Sequence, residues 1–273
     1  VISAADEKQA PLIIILGGMA MAKHSAAELM APMIKRLAQE TNVPVALCLD
    51  HGKDIYKAAY ALHNGFSSIM LDGSQYSMEE NIEKTKQIVE ICHSIQVGVE
   101  GEIGHVGQAA NLDGRDESLY TTPEDAAYFA KATGVDCLAV AIGTAHGKYP
   151  EGFVPHINFE LLKKIKEATG NMPIALHGGS GSGDENIRKA VAAGINKINL
   201  ATDLQEAAKK GAAEAYENGG DYMKTIQNAE LCCKNLLMHW IDLSGSAGRA
   251  KDIRLPYTFS QLQGDNKNNS VEE

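Results

Sequence analysis

The sequence predicts an α/β protein, a TIM-type (β/α)8 barrel that lacks its first βα unit in this chain. Three observations predict it. Short apolar runs rich in β-branched residues alternate with segments of helical period, the pattern of a parallel sheet buried on both faces. The chain has 273 residues, near the roughly 250 typical of one such barrel. Seven runs read as strands, one short of the eight that close a barrel.

In order along the chain, residues 1–10 read as the tail of a helix that feeds Pro11. Strands are expected at 11–16, 43–50, 67–72, 96–104, 136–143, 173–180 and 196–203. Helices are expected between them. Residues 26–40 carry Leu29, Met33 and Leu37 at helical spacing, and 78–92 carry Ile82, Ile88 and Ile91. Residues 159–169 and 186–193 behave likewise. Thr122-Pro123-Glu124-Asp125 is a helix start: a capping hydroxyl, a proline suited to the first turn, and two acids at the positive end of the dipole. Helical stretches run from 203 to about His239, before a Gly/Ser turn at 244–248. A barrel domain over 1–248 and a polar tail over 249–273, disordered at 264–273, complete the expected organisation. The economical reading of the strand count is that a first βα unit, on the order of 30 residues, is absent. The alternative is an open sheet with two exposed parallel edges.

Composition narrows the function. Hydrophobic residues make up 44% and charged residues 22%, ordinary globular values. A general nucleic-acid binder needs a basic face, and a net charge of −10 suggests none. No apolar run reaches the roughly 18 residues of a membrane span, and no secretory signal opens the chain. The five cysteines are odd in number and form no CxxC pair. They read as reduced thiols of a cytoplasmic protein.

The histidines carry the chemistry. His51, His146 and His177 each sit at or just past the end of an expected strand. In a barrel those ends meet at one face, where three imidazoles could hold Zn²⁺ and leave positions open. Three unrelated loop or core histidines are the bland alternative. His105 is not expected to be a ligand. Asp50, beside His51, is either a proton carrier or a strand-end cap. Asp72 and Glu102 also end strands; each is either a partner of a histidine N–H or an alternative metal ligand. The glycine-rich turn from His177 to Gly183 and the segment Asn199-Leu200-Ala201-Thr202 follow the last two strands. Loops in that place frequently form a phosphate site, although a tight turn alone needs glycines too. Neither turn has P-loop spacing.

With these segments in hand, the chain resembles the zinc-dependent class II ketose-bisphosphate aldolases, in the branch of tagatose- and fructose-bisphosphate aldolases. The resemblance rests on Leu49-Asp50-His51-Gly52, Ile69-Met70-Leu71-Asp72-Gly73-Ser74, Val99-Glu100-Gly101-Glu102-Ile103-Gly104, Val140-Ala141-Ile142-Gly143-Thr144-Ala145-His146-Gly147, Leu176-His177-Gly178-Gly179-Ser180-Gly181 and Ile198-Asn199-Leu200-Ala201-Thr202, in that order. It implies aldol cleavage of a ketose phosphate to dihydroxyacetone phosphate and an aldehyde. It implies that His51, His146 and His177 bind one Zn²⁺, that Asp72 and Glu102 hold the metal in an alternative position, and that Asp50 carries the proton. Gly147, Gly178, Gly179, Ser180, Asn199, Leu200, Ala201 and Thr202 would form the dihydroxyacetone-phosphate pocket. A monovalent cation (Na⁺ or K⁺) near Gly147 and Gly178, and a homodimer or homotetramer, are further implications. No nucleic-acid or membrane partner is expected.

Four departures qualify the resemblance. The opening strand, which in relatives carries a substrate-touching Asn, is missing. The loop after Glu102 has Ala109 and Ala110 where relatives use a glutamate in proton transfer. Asn218-Gly219-Gly220-Asp221 stands where relatives often hold the second phosphate with Asp-Pro-Arg; Lys224 and Arg115 are candidate substitutes. Gly17-Gly18 replaces a usual Ser. The pattern suggests an aldehyde half other than glyceraldehyde phosphate. Two alternatives remain: a non-catalytic zinc and sugar-phosphate binder, and a metal-dependent epimerase or isomerase.

Overall fold

The computed structural model describes residues 1–253. A short helix α1 (Ile2–Lys8) leads into strand β1 (Leu12–Gly17). Then follow α2 (Gly18–Lys23), α3 (Ala27–Gln39), β2 (Val45–Gly52), α4 (Ile55–His63) and β3 (Ser68–Leu71). The chain continues through α5 (Met78–Ser94), β4 (Gly98–Ile103), α6 (Pro123–Thr133) and β5 (Cys137–Val140). It ends through α7 (Phe159–Ala168), β6 (Ile174–Leu176), α8 (Asp184–Ala192), β7 (Lys197–Ile198), α9 (Thr202–Glu217) and α10 (Tyr222–Leu243).

The seven strands form one parallel sheet in sequence order, compatible with a TIM-type fold. Among the described residues β1 and β7 are its two edges. The sheet is strongly curled. A flat sheet would hold β2 and β6 about 19 Å apart, four strand spacings. Instead the rings of His51 and His177, at their ends, lie 4.8 Å apart.

Strand alternation then sorts every residue. Leu47, Leu49, Ile69, Leu71, Val99, Leu138, Val140, Ile174 and Leu176 join the main core with helix residues such as Ala58, Ile88, Phe129, Leu162 and Ile187. Cys48, Met70, Ala139 and Ala175 take the opposite phase and pack together as a separate cluster inside the curl. Asp50, Asp72, Glu100, Glu102, His177, Lys197 and Asn199 share that inner phase.

Helix starts follow the local chemistry. Thr122 accepts from the Asp125 N–H with Pro123 in the first turn, as its sequence predicts. Ser77 and Glu80 form a capping box on α5.

Several expectations need correction. The runs at 173–180 and 196–203 are strand only at 174–176 and 197–198. Gly178 takes φ +64°, which ends the first, and α9 starting at Thr202 claims the end of the second. Likewise β5 stops at Val140 and Gly143 turns with φ +118°. On α3 the expected stripe faces outward: Leu29 is 73%, Met33 50% and Leu37 45% exposed. Its core face is Ala27, Ala31 and Ile34, and the two alanines let the helix sit close to the sheet. Residues 249–253, expected to begin the tail, pack on α1. Gly248 N–H donates to the Lys8 carbonyl, Ala250 N–H to that of Gln9, and Ala250 is buried beside Ala5, Ala10 and Ile241. The expected disorder at 264–273 lies outside the described residues.

All five cysteines are free thiols. No helix among the described residues is long and apolar enough to cross a membrane. Phe129 is fully buried against the sheet, and its ring fills the space left by Gly101 on β4. Phe129→Ala should therefore lower unfolding stability by about 3–5 kcal/mol, read from the urea denaturation midpoint.

Candidate metal centre and substrate pocket

His51, His146 and His177 converge at the C-terminal ends of β2, β5 and β6. Their ring centroids are 4.8, 4.8 and 5.7 Å apart, and one nitrogen of each lies within 4.8 Å of the others. His51, Asp72 and Glu102 form a second group meeting the same distance.

A break in strand alternation makes room for His51. Neighbouring residues on a strand face opposite sides, so Asp50 and His51 should not share a site. The register between β2 and β3 shifts between Leu49 and Gly52, and His51 takes φ +49°. This bulge brings both side chains to the interior. Gly52 completes it: a Cβ there would lie 2.8 Å from the Met70 carbonyl oxygen.

Each imidazole is oriented through its outer nitrogen. His51 Nδ1 lies 2.9 Å from Asp72 Oδ2, His177 Nε2 lies 2.9 Å from Glu100 Oε1, and His146 Nδ1 lies 3.2 Å from the Val106 carbonyl. Carboxylates and carbonyls only accept, so these nitrogens carry the protons. The other nitrogens are then lone pairs directed at one another. His51 Nε2 and His177 Nδ1 are 3.1 Å apart, and His146 Nε2 is buried without a partner. Glu102 Oε2 is likewise buried and unpartnered, 3.7 Å from His51 Nδ1 and 3.9 Å from His177 Nδ1. Facing lone pairs and an orphaned carboxylate oxygen are complementary to a cation, and imidazole with carboxylate is a donor set that suits Zn²⁺.

The electrostatics follow from burial and neighbours. Burial, together with the His51 and His177 rings, pushes His146 down to about 4. Burial pushes Glu102 up to about 7, helped by Asp72 and Glu100. Burial opposes ionisation of Asp72 too, but hydrogen bonds from His51, Lys53 and Ser74 outweigh it and hold the carboxyl well below its usual range. For Glu100 the Lys197 charge and the His177 bond outweigh burial and hold it at about 2.

Asp50 accepts from Asn199 Nδ2 at 2.9 Å. Gly178, Gly179 and Ser180 are buried beside these groups, while Gly147 is exposed on the loop after His146. The loops bearing His146 and His177 touch through backbone: a Cβ on Gly178 would lie 2.5 Å from the Ala145 carbonyl oxygen. Thr144 Oγ1 donates to the His177 carbonyl at 2.7 Å. Leu200 and Ala201 lead into α9, whose first residue is Thr202. The Asp203 N–H donates to Ser180 Oγ and the Gly181 N–H to Asp203 Oδ2, which ties the glycine turn to the start of α9. First-turn N–H groups of a helix lack intrahelical partners and suit an anion.

The altered loop packs instead of carrying an acid. Ala109 is buried, its N–H donates to the His146 carbonyl, and the His146 N–H donates to that of Gly107. His105 is exposed and belongs to neither metal-ligating group. Arg115 lies 5.1 Å over the Phe153 ring, beside a cavity of about 280 Å³ lined also by Tyr120, Gly143, Tyr149 and His156. Lys224, the other candidate for the second phosphate, lies at the far end of α9 from Thr202. Its stem lies by Gly220 and Ala215, about 20 Å along α9 from Thr202.

Two site residues escape the motif reading: Glu100 and Lys197. Their signal is period two. Glu100 shares a face with Glu102, and Lys197 shares one with Asn199.

Comparison with known proteins gives the same picture. The family profile "Fructose-bisphosphate aldolase class-II" matches residues 1–249. A Geobacillus stearothermophilus protein named fructose-bisphosphate aldolase is 37% identical over 255 residues, covering 92% of this chain and 88% of that protein. The YdjI protein of Escherichia coli K12 is 36% identical over 255 residues, again covering 92% and 88%. The crystal structure of that YdjI aldolase superposes with a TM-score of 0.80 at 34% identity, over 91% of this chain and 87% of its own. Fructose-bisphosphate aldolase from Campylobacter jejuni shares the fold, with a TM-score of 0.76 at 24% identity over 90% and 86% of the two chains. Matched along nearly its whole described length, the chain belongs to the class II fructose-bisphosphate aldolase family, whose members are carbon–carbon lyases.

Proposed function

We propose that this chain is a zinc-dependent aldolase that cleaves a ketose phosphate to dihydroxyacetone phosphate and an aldehyde. The observation that carries the reading is the set of three imidazoles, each with its outer nitrogen engaged and its lone pair turned to a common centre. His51, His146 and His177 would hold the ion, with Asp72 and Glu102 beside His51 as alternative ligands. Bound there, Zn²⁺ supplies a Lewis acid at the substrate oxygens and stabilises the negative charge that cleavage develops.

The chain's own residues do the rest. Breaking the carbon–carbon bond passes the proton of the adjacent hydroxyl to Asp50 and leaves the bonding pair on the dihydroxyacetone-phosphate carbon, which takes a proton from solvent water to complete that product. Support comes from Asn199, whose amide holds one Asp50 oxygen. Gly147, the turn Gly178-Gly179-Ser180 and the segment from Asn199 to Thr202 bind the dihydroxyacetone-phosphate half, with the phosphate at the start of α9. A monovalent cation near the Gly147 and Gly178 backbone would share that phosphate. No carboxylate stands at 109 or 110, and Asn218-Gly219-Gly220-Asp221 occupies the region of the second phosphate. The aldehyde half therefore differs from glyceraldehyde phosphate; tagatose and fructose bisphosphates are comparators rather than presumed substrates. By family likeness the protein works as a homodimer or homotetramer in the cytoplasm, where its thiols stay reduced.

Metal-replete protein incubated with a panel of ketose phosphates should release dihydroxyacetone phosphate, detected through a coupled dehydrogenase, and a chelator should abolish the signal. Redistributed ketose without triose would replace this reading with an epimerase or isomerase. Bound zinc with neither product would leave a binding protein. Zn²⁺ should raise the melting temperature in thermal-shift measurements, since a ligand specific for the folded state stabilises it by about 2.7 kcal/mol at a hundred times its Kd. Asp50→Ala should bind zinc with unchanged stoichiometry and lose most turnover, on the order of the 10²–10⁴-fold that a positioned base supplies. Full activity in that variant would remove Asp50 from the mechanism.

A further inference from the structure

Below the metal centre, inside the curl of the sheet, lies an ion pair that the proposed chemistry does not use. Glu100 on β4 and Lys197 on β7 meet through Glu100 Oε2 and Lys197 Nζ at 2.8 Å. Glu100 is almost wholly buried, and the Lys197 side chain is only 11% exposed. On their far side is a second cavity of about 280 Å³, lined also by Ile13, Ser68, Gly98 and Cys137. The pair therefore forms a floor between that cavity and the histidines.

Both ends of the pair reach upward. Glu100 Oε1 accepts from His177 Nε2 at 2.9 Å, so each carboxylate oxygen has one partner. Lys197 Nζ donates to Asn199 Oδ1 at 2.7 Å, and Asn199 Nδ2 donates to Asp50 Oδ1 at 2.9 Å. Each link dictates the next. A carboxylate cannot donate, so His177 Nε2 carries the proton and Nδ1 presents its lone pair to the centre. An ammonium cannot accept, so Asn199 must turn its oxygen to Lys197 and its NH₂ to Asp50. Asn199 Nδ2 also lies 3.3 Å from His177 Nε2; both are donors there, and each has a nearer acceptor.

We propose that the Glu100–Lys197 pair is a shared positioning device that sets the tautomer of the metal-ligating His177 and, through Asn199, the orientation of Asp50. Glu100 and Lys197 belong to neither candidate metal-ligating group. They couple the metal site to the proton-carrying acid through a single buried ion pair. The inference rests on the aldolase reading for the role of Asp50, but its effect on His177 is independent of turnover.

The test uses the full chain, wild type and the variants Glu100→Gln and Lys197→Met. Imidazole ¹⁵N NMR of the metal-free protein, at a pH where the rings are neutral, should show His177 as the Nε2–H tautomer. Glu100→Gln should lose that preference, because a glutamine amide cannot present oxygen to both His177 and Lys197. Its Zn²⁺ affinity, measured by chelator competition, should fall by about 10–100-fold, and the visible spectrum of the Co²⁺ form should shift. Lys197→Met, saturated with zinc, should show a reduced kcat with KM little changed. An Nδ1–H tautomer in the wild type, or unchanged zinc affinity in Glu100→Gln, would overturn the proposal. If Lys197→Met fails to fold, the wild-type tautomer and the Glu100→Gln affinity still decide it. If the wild type releases no triose, the aldolase reading fails while the tautomer and affinity results stand on their own.

Discussion

A lysine ammonium inside a sheet must be met by a carboxylate, and Lys197 is met by Glu100. Removing either partner would leave a buried charge uncompensated, at a cost of about 3–5 kcal/mol. The attraction outweighs burial on both sides. It lifts the lysine to about 12 and holds the glutamate at about 2, so the pair stays ionised. The inner face above it is organised around that fact. A proton-donating imidazole sits on one end of the pair and an oriented amide on the other. Such a pair need not add net stability over an apolar replacement. What it adds is direction, since each partner can accept or donate in only one sense.

The second constraint is backbone geometry at Asp50 and His51. A regular strand offers one residue in two to the interior, yet the site draws on both. The bulge resolves this by placing a non-glycine residue at positive φ. A single strained residue of this kind costs on the order of 1–3 kcal/mol, offset here by the bonds that His51 and Asp50 make on arrival. The contact of Gly178 with the Ala145 carbonyl serves the same end. Backbones approach closely so that side chains from separate loops can meet.

Much of this was legible in the residues. Apolar runs separated by helical segments give the parallel sheet and its strand order, and the three histidines at strand ends do lie together. The family follows from ordered motifs, above all the segment ending in His146. Strand ends were less legible, because residues 177–180 stay buried after the chain has left the sheet at Leu176. The outward face of α3 runs against hydropathy: its buried side is Ala27, Ala31 and Ile34, and the two alanines rank below the exposed Leu29, Met33 and Leu37. The Glu100–Lys197 pair was invisible as a pair, since 97 positions separate its members and only curling of the sheet brings β4 and β7 together. The bulge at His51 has no sequence signature beyond the following Gly52.

The cysteines inside the curl bear on how such a site ages. Cys48 sits among Met70, Ala139 and Ala175, and burial pushes its thiol up to about 12; burial lifts Cys137 as well. At neutral pH the thiolate fraction of a group near 12 is about one in 10⁵, and peroxide attacks the thiolate rather than the thiol. The candidate ligands themselves are nitrogen and oxygen, with no sulfur among them. Oxidative stress therefore finds no ready thiolate at this centre, and the Cys48 and Cys137 thiols behave as inert filling.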